Sequence, residues 1–169
     1  MIIESSFSGE AKKPLRAVNP LSGERLLIVD DDDAILKSLS RILRLEGYDV
    51  DTARTGLEAI EKSKTNFYNL ALLDIKLPDM EGTELLKRMH ETYPRMIKIM
   101  ITGYPDLDNA VKSLNAGADA YLIKPVSVQK LIEVVKQKLA EQREAEIMTE
   151  KKVEKWIETR VRKIKSGEL

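Results

Sequence analysis

The sequence contains no cysteine and only one histidine among its 169 residues. Without cysteine, the chain can form no disulfide framework, no cysteine nucleophile and no cysteine-based metal site. The single histidine, His90, excludes a multi-histidine metal site within one chain. We interpret His90 as a solvated residue near the end of a helix and assign it no function.

Long apolar runs and an excess of either charge are also missing. No run approaches the roughly eighteen apolar residues of a membrane span, and residues 1–25 lack the apolar stretch of an export signal, so we expect a cytoplasmic protein. The 28 Lys and Arg residues balance 28 Asp and Glu residues, which disfavours a protein that coats nucleic acid. Hydrophobic residues make up 43% of the chain, enough for the core of one domain.

Short apolar runs alternate with helical periodicity from Leu26 onward. The wholly apolar runs at 26–29 and 70–73 are typical of strands buried on both faces. We predict five strands, at 26–29, 49–53, 70–73, 97–101 and 120–123. We predict five helices, through Ile35 to Leu43, at 57–64, at 84–91 with Thr83 as its cap, at 107–115 and from about Val128.

Strands that alternate with helices are typical of a parallel sheet with helices on both faces. Because crossovers are right-handed, the natural arrangement at this length is a flavodoxin-like α/β sandwich, a doubly wound (βα)5 fold with strand order 2-1-3-4-5. Apolar residues recur at helical spacing late in the chain, which predicts an extended C-terminal helix. We therefore divide the chain into a flexible N-terminal arm (1–24), a folded domain (25–142) and a helical tail or linker (143–169).

Polar residues follow four of the predicted strands. Asp30 to Asp33 follow the first strand, Asp74 the third, and Thr102 and Lys124 the fourth and fifth. Because ligands bind beyond the carboxyl ends of the strands in such sheets, these side chains converge on one edge. Clustered carboxylates stay ionised only beside positive charge, which Mg²⁺ and Lys124 would supply. The site therefore suits an incoming phosphoryl group that a carboxylate attacks.

Part of this acidic run has simpler explanations. Acidic residues favour the first turn of a helix, and we assign Asp33, and partly Asp32, to capping the first helix. A phosphatase of the haloacid dehalogenase type also begins with Asp-x-Asp, here Asp30 and Asp32, but needs a further acidic pair after its lysine. No such pair follows Val126, and we keep this enzyme class only as a rival hypothesis.

Four motifs resemble the receiver domain of two-component response regulators. They are Leu27-Ile28-Val29-Asp30-Asp31-Asp32, the stretch 72–82 around Leu73-Asp74-Ile75, Ile101-Thr102-Gly103, and the stretch 117–125 that ends in Ile123-Lys124-Pro125. The resemblance covers about residues 25–142. It implies a phosphorylation switch that receives its phosphoryl group from the phospho-histidine of a sensor kinase or phosphotransfer protein. It also implies no enzymatic activity beyond Mg²⁺-dependent phosphorylation and dephosphorylation of the chain itself.

The resemblance assigns roles to individual side chains around the acceptor. Asp74 would be the phospho-acceptor. Asp31, Asp74 and the backbone carbonyl of Lys76 would hold Mg²⁺, and Asp30 would act on the ion mainly through water. Lys124 would contact the phosphoryl oxygens.

Further residues would transmit the change or tune its lifetime. The Lys124–Pro125 peptide bond would be cis. Thr102 would move toward the phosphoryl group and Tyr121 would turn inward behind it, which would alter the face formed by helix four, strand five and helix five.

Two positions flank the path of a hydrolytic water in this family, and both hold bulky residues in this chain. By the resemblance they are Lys76, two residues after the acceptor, and Tyr104, two residues after Thr102. We therefore predict slow self-dephosphorylation, with a phospho-aspartate half-life of minutes or longer. A receiver that only binds partners is a further alternative, but the intact set of motif residues argues against it.

The tail has apolar residues at helical spacing, and three interpretations of it stay open. These residues are Val153, Trp156, Ile157, Val161 and Ile164. In the first, the tail is a linker or dimer helix that leads to an output domain, as in the receiver half of a truncated transcriptional regulator. In the second, it packs on its own domain or on a second copy. In the third, it contacts a membrane surface or nucleic acid. Direct binding of nucleic acid is not expected, because the charge is mixed. A homodimer would use this helix or the face of helix four, strand five and helix five.

Overall fold

The computed structural model describes residues 23–167 of the chain. Strands and helices alternate along these residues. They are β1 (Arg25–Val29), α1 (Asp33–Leu45), β2 (Asp49–Ala53), α2 (Gly56–Thr65), β3 (Leu70–Asp74), α3 (Gly82–Thr92), β4 (Ile97–Thr102), α4 (Leu107–Asn115), β5 (Ala120–Ile123) and α5 (Val128–Ser166). The predicted N-terminal arm lies outside the described residues except for Gly23 and Glu24.

The strands form one parallel sheet in the order β2-β1-β3-β4-β5, which confirms the predicted flavodoxin-like fold. The three strands β1, β3 and β4 occupy the centre of the sheet and are almost completely buried. They are buried because helices cover both faces of the sheet. The winding reverses between β1 and β3, so the carboxyl ends of these strands form the switch point where ligands bind in such folds.

The helices enclose two separate cores, one on each face of the sheet. On one face α1 and α5 pack on the sheet through residues such as Leu43 and Val135. On the other face α2 and α3 do so, for example through Ala59. Successive residues of β1 point to opposite faces, so Leu26 lies in the first core and Leu27 in the second.

The predicted capping of α1 is confirmed for Asp32 and wrong for Asp33. Asp32, rather than Asp33, is the N-cap, and its Oδ1 accepts hydrogen bonds from the backbone N–H of Ala34 at 2.8 Å and of Ile35 at 3.2 Å. A capping side chain must come from the extended residue just before the first turn, and Asp32 has that backbone conformation. Asp33 is the first helical residue and pairs with Arg54 at 2.7 Å.

The predicted start of α3 is also wrong. The helix begins at Gly82, before Thr83, and the N-cap residue Glu81 makes no side-chain capping hydrogen bond. Instead, the backbone N–H of Gly82 donates to the carbonyl oxygen of Ile75 at 2.6 Å. The position of α3 is therefore tied to the residues that follow β3.

The last element, α5, is one continuous helix of 39 residues, which confirms the predicted extended C-terminal helix. Its buried part ends at Leu139. Beyond it, the side-chain amide of Gln142 donates to the carbonyl oxygen of Arg95 at 2.8 Å, and Arg143 pairs with the buried Glu24. These contacts hold α5 where it leaves the amino-terminal edge of the sheet. Among residues 23–167, no helix combines the length and apolar character that crossing a membrane requires.

Candidate functional site at the carboxyl edge of the sheet

The predicted site residues meet at the carboxyl edge of the sheet. Asp30 directly follows β1, Asp74 ends β3, Thr102 ends β4, and Lys124 directly follows β5. Parallel strands place their carboxyl ends on one side, so side chains that lie far apart in the sequence become neighbours.

Lys124 is the positive charge of this site. Its Nζ lies 2.6 Å from Oδ2 of Asp30 and 3.4 Å from Oδ1 of Asp74. Its backbone N–H donates to the carbonyl oxygen of Thr102 at 2.7 Å, which fixes the residue beside β4. The peptide bond between Lys124 and Pro125 is cis.

Three carboxylates cluster at this edge, and two of them, Asp30 and Asp74, pair with Lys124. Asp30, Asp31 and Asp74 each offer an oxygen, and these oxygens lie within 4.8 Å of one another. Asp30 and Asp74 are buried, with exposed fractions of 3% and 8%, whereas Asp31 is exposed. One lysine cannot balance three carboxylates, and hard divalent cations bind clustered carboxylate oxygens. The charge and donor atoms of the cluster therefore fit a metal ion.

The pKa values at the site follow from burial and from these ion pairs. Burial raises the pKa of the Asp74 carboxyl group; Lys124 opposes this rise and the neighbouring Asp30 adds to it, so the net pKa is above its ordinary value. Burial lowers the pKa of the Lys124 ammonium group, but its contacts with Asp30 and Asp74 outweigh burial and raise the net pKa. Lys124 therefore stays charged at neutral pH.

The two residues with predicted switch roles lie close behind the site. Thr102 is completely buried, and its Oγ1 accepts a hydrogen bond from the backbone N–H of Tyr104 at 3.0 Å. Tyr121 packs against the second core, and its hydroxyl is buried without a hydrogen-bond partner among residues 23–167. Burial, together with Asp106, raises the pKa of this hydroxyl.

The two residues with predicted effects on lifetime contact each other. Lys76 and Tyr104 are both exposed, and Nζ of Lys76 lies 3.9 Å from the centroid of the Tyr104 ring. This cation–π contact joins the loop after β3 to the loop after β4. Because Asp74 ends β3 and Thr102 ends β4, the contact spans the gap between two site-bearing strands.

Sequence reasoning missed the structural role of Gly82. A Cβ atom on Gly82 would lie 2.0 Å from the carbonyl oxygen of Asp74 and 2.7 Å from Cα of Ile75. Only glycine allows the first turn of α3 to approach the backbone of the acceptor strand this closely. A glycine that opens a helix, where glycine is unfavourable, was the available signal.

Sequence reasoning also missed Asp79 as a residue that connects two loops. Its carboxylate accepts hydrogen bonds from the backbone N–H of Gly56 at 2.9 Å and of Leu57 at 2.8 Å. Burial acts to raise the pKa of Asp79, but these N–H groups outweigh it and lower the net pKa. Asp79 thereby ties the loop after β3 to the start of α2.

A family comparison agrees with this geometry. The model of the response regulator receiver domain matches residues 26–136. The chain belongs to the response regulator receiver domain family. Receivers in general act through phosphorylation of an aspartate.

Known receivers and response regulators resemble the chain over most of its length. It is 38% identical over 128 residues to the transcriptional regulatory protein ZraR of Klebsiella oxytoca, a match that covers 75% of this chain and 29% of ZraR. It is 34% identical over 108 residues to the response regulator MprA of Mycobacterium sp. strain KMS, covering 64% of this chain and 47% of MprA. The chain thus spans between about a quarter and a half of the curated relatives it matches.

A solved structure covers the same receiver region. The CheY-like receiver domain protein from Methanospirillum hungatei JF-1 has a TM-score of 0.71 and 57% sequence identity, and the match covers 72% of this chain and 98% of that chain.

The phosphatase hypothesis required an acidic pair beyond the lysine. In the structure, residues 125–127 lead directly into α5, and no strand follows β5 among the described residues.

Proposed function

We propose that this receiver takes a phosphoryl group onto Asp74 from the phospho-histidine of a sensor kinase or phosphotransfer protein. The position of Lys124 Nζ between Asp30 and Asp74 is the observation that carries the proposal. It puts a positive charge beside two buried carboxylates at the switch point. An oxygen of Asp74 would bond to phosphorus while the phosphorus–nitrogen bond breaks, and the bonding electron pair would leave with the imidazole.

We assign each neighbouring group a role in this transfer. Lys124 would offset negative charge on a phosphoryl oxygen. Mg²⁺ would be held by Asp31, Asp74 and the backbone carbonyl of Lys76, with Asp30 acting through water, and would neutralise further charge on the phosphoryl oxygens. We propose no reaction on any other substrate, because these groups act on the chain's own carboxylate.

The donor protein has an apolar surface available beside the site. A cleft of about 460 Å³ between α1 and the loop after β5 is lined by Ile35, Leu39, Pro125 and Val126, with Lys124 at its edge. A partner that carries phospho-histidine must approach Asp74 from this edge of the sheet. Contact with the cleft would position the partner while leaving the acceptor open.

The read-out would pass through Thr102 and Tyr121 to α4 and β5. Thr102 Oγ1 accepts a hydrogen bond from the N–H of Tyr104. Movement of Thr102 toward a phosphoryl group would break that bond and open space into which the Tyr121 ring could turn. Apolar side chains on the neighbouring surface, including Leu107 and Val111 on α4, are exposed and available to a target.

A second candidate concerns the target. Three relatives are named transcriptional regulatory proteins, ZraR, the CpxR homolog and TrcR, and the chain spans less than half of each. In that case the receiver would act on an output domain of a longer regulator. The phosphorylation chemistry would be the same.

Intact-mass measurement after incubation with acetyl phosphate tests the proposal. With Mg²⁺ we expect a gain of about 80 Da, which is lost in Asp74→Ala and on chelation of the metal. Asp108→Ala, which removes an exposed carboxylate from the first turn of α4, should retain the gain. Absence of any adduct on folded wild-type protein, with acetyl phosphate or a phosphorylated kinase, would overturn the proposal.

A further inference from the structure

The final turns of α5 carry an apolar stripe that no other described part of the chain covers. The exposed fractions of its side chains are 51% for Val153, 63% for Trp156, 49% for Ile157, 43% for Val161 and 63% for Ile164. Scattered exposed apolar residues are ordinary, but a continuous stripe along one helix indicates a binding surface.

This stripe continues the face that α5 uses inside the receiver. Val153 follows the buried Val135 by eighteen residues, which is about five helical turns, and Ile157 has the same relation to the buried Leu139. The helix keeps its core-facing side after it has passed the edge of the sheet. The contacts of Gln142 and Arg143 fix its rotation at that edge, so the stripe projects as a preformed helical surface.

Three residues of the stripe, together with Arg160, match the spacing of a two-stranded coiled coil. Val153, Ile157, Arg160 and Ile164 are separated by four, three and four residues, the alternation of the two central positions of a heptad. Three of these four residues are apolar or β-branched, and Arg160 is the polar exception. A polar residue at a central position specifies the register of the two helices and lowers the stability of the coiled coil.

Residues beside this seam favour parallel pairing. Trp156 lies on one flank and Val161, five residues later, on the other; in a parallel pair these two flanking positions face each other across the interface. Glu154 shares the flank of Val161, and Lys163 shares the flank of Trp156. An antiparallel pair over residues 153–164 would instead place Glu154 against Val161 and Lys163 against Trp156, so that the two apolar flanking residues no longer face each other.

We propose that a second copy of this chain covers the stripe, with the two α5 helices parallel and in register over residues 153–164. The interface lies on the tail, outside the phosphorylation site. It would bring two receivers to the same end of the coiled coil. Because the seam is shorter than two heptads, the dimer should dissociate on dilution. A lipid surface is the less favoured partner, since Glu150, Glu154 and Glu158 form an acidic row beside the stripe.

Sedimentation of the full chain over a concentration series tests the surface. We expect a monomer–dimer equilibrium whose dissociation constant rises at least about tenfold in Ile157→Glu. Met148→Glu is the matched control, because Met148 is similarly exposed at 56% but lies on the opposite face of the helix. Both variants should keep the circular dichroism of the wild type. The dimer should persist in Asp74→Ala, so this result does not depend on the phosphorylation proposal.

Cysteine cross-linking tests the orientation, and the absence of native cysteine makes each introduced thiol unique. Val153→Cys should form a disulfide-linked dimer under mild oxidation, and Met148→Cys should form much less. A mixture of Val153→Cys and Ile164→Cys should not cross-link preferentially to each other; if it does, the pairing is antiparallel and the proposal is wrong. A wild-type chain that stays monomeric at high concentration, a dimer unaffected by Ile157→Glu, or a monomer that binds vesicles through the stripe would also overturn it.

Discussion

At the scale of single residues, the site is governed by an imbalance of charge. Three carboxylates cluster at the site, and its one lysine, Lys124, pairs with the two that are buried, Asp30 and Asp74. Burial of Asp74 raises its pKa, so the isolated site resists holding all three charges. An incoming divalent cation would offset this excess of negative charge, and together with Lys124 it would also offset the negative charge that a phosphoryl group adds to Asp74. The imbalance of charge would therefore make phosphorylation of Asp74 depend on a bound cation.

The Lys76–Tyr104 contact gives a residue-scale prediction for the lifetime of phospho-Asp74. We expect a half-life of minutes or longer in the purified wild type with Mg²⁺. Lys76→Ala and Tyr104→Ala should each shorten it about two- to fivefold, the factor that corresponds to the roughly 0.5–1 kcal/mol of an exposed cation–π contact. The decay of the phosphorylated mass with time measures this.

The double variant is decisive for this interpretation. If both residues act through one contact, Lys76→Ala with Tyr104→Ala should decay no faster than the faster single variant. Lys87→Ala, which removes an exposed lysine from the far part of α3, should leave the lifetime unchanged. A wild-type half-life of seconds would contradict the prediction.

At the scale of elements, the connection between β3 and α3 positions the acceptor. Gly82 brings the first turn of α3 against the backbone of Asp74, and Asp79 ties the same loop to α2. The acceptor strand is thus held by two helices as well as by its sheet neighbours. The site depends on this connection as much as on its charged side chains.

Substitution of Gly82 tests that dependence. Gly82→Ala should lower the free energy of unfolding by at least about 2 kcal/mol, because the new methyl group overlaps the Asp74 carbonyl oxygen and the backbone must shift. Helix propensity alone would make the same change stabilising. Urea denaturation measures the effect.

Gly103→Ala is the matched control for this experiment. Gly103 also lies at the carboxyl edge of the sheet, but its added Cβ would meet only the Lys124 side chain at 3.9 Å. We expect a change within about 0.5 kcal/mol. Equal stability of the two variants would show that the close approach of α3 is not required.

At the scale of the whole molecule, the two edges of the sheet carry different features. The carboxyl edge holds the acidic cluster and Lys124, and the amino edge is where α5 leaves the receiver. Gln142 joins this exit to the start of β4 through Arg95, and Arg143 joins it to the residue before β1 through Glu24. The receiver and the first turns of the tail therefore form one packed unit.

Two shortened chains test this organisation. A chain that ends after Glu150 should unfold within about 0.5 kcal/mol of the wild type, because the later residues are exposed. A chain that ends after Glu141 should lose at least about 1 kcal/mol, since it removes the hydrogen bonds of Gln142 and leaves the buried Glu24 without Arg143. Urea denaturation compares them. Equal stability of the two chains would contradict the proposed anchoring role.

The sequence by itself determined the sheet order, the extended last helix and the meeting of Asp30, Asp74, Thr102 and Lys124 at one edge. These follow from local periodicity and from the rule that parallel strands share their carboxyl ends. The roles of those residues in phosphoryl transfer stay predictions.

Only the tertiary structure decided the contacts between residues that are distant in the chain. In the sequence, Lys98 is the one charged residue of its strand. In the structure it is completely buried, and its Nζ donates to the carbonyl oxygen of Tyr93 at 2.6 Å. Burial lowers the pKa of the Lys98 ammonium group. The pairing of Glu24 with Arg143 joins the two ends of the receiver. The approach of Gly82 to Asp74 was equally hidden. Such contacts arise from how whole elements pack, and local patterns carry information only about neighbours along the chain.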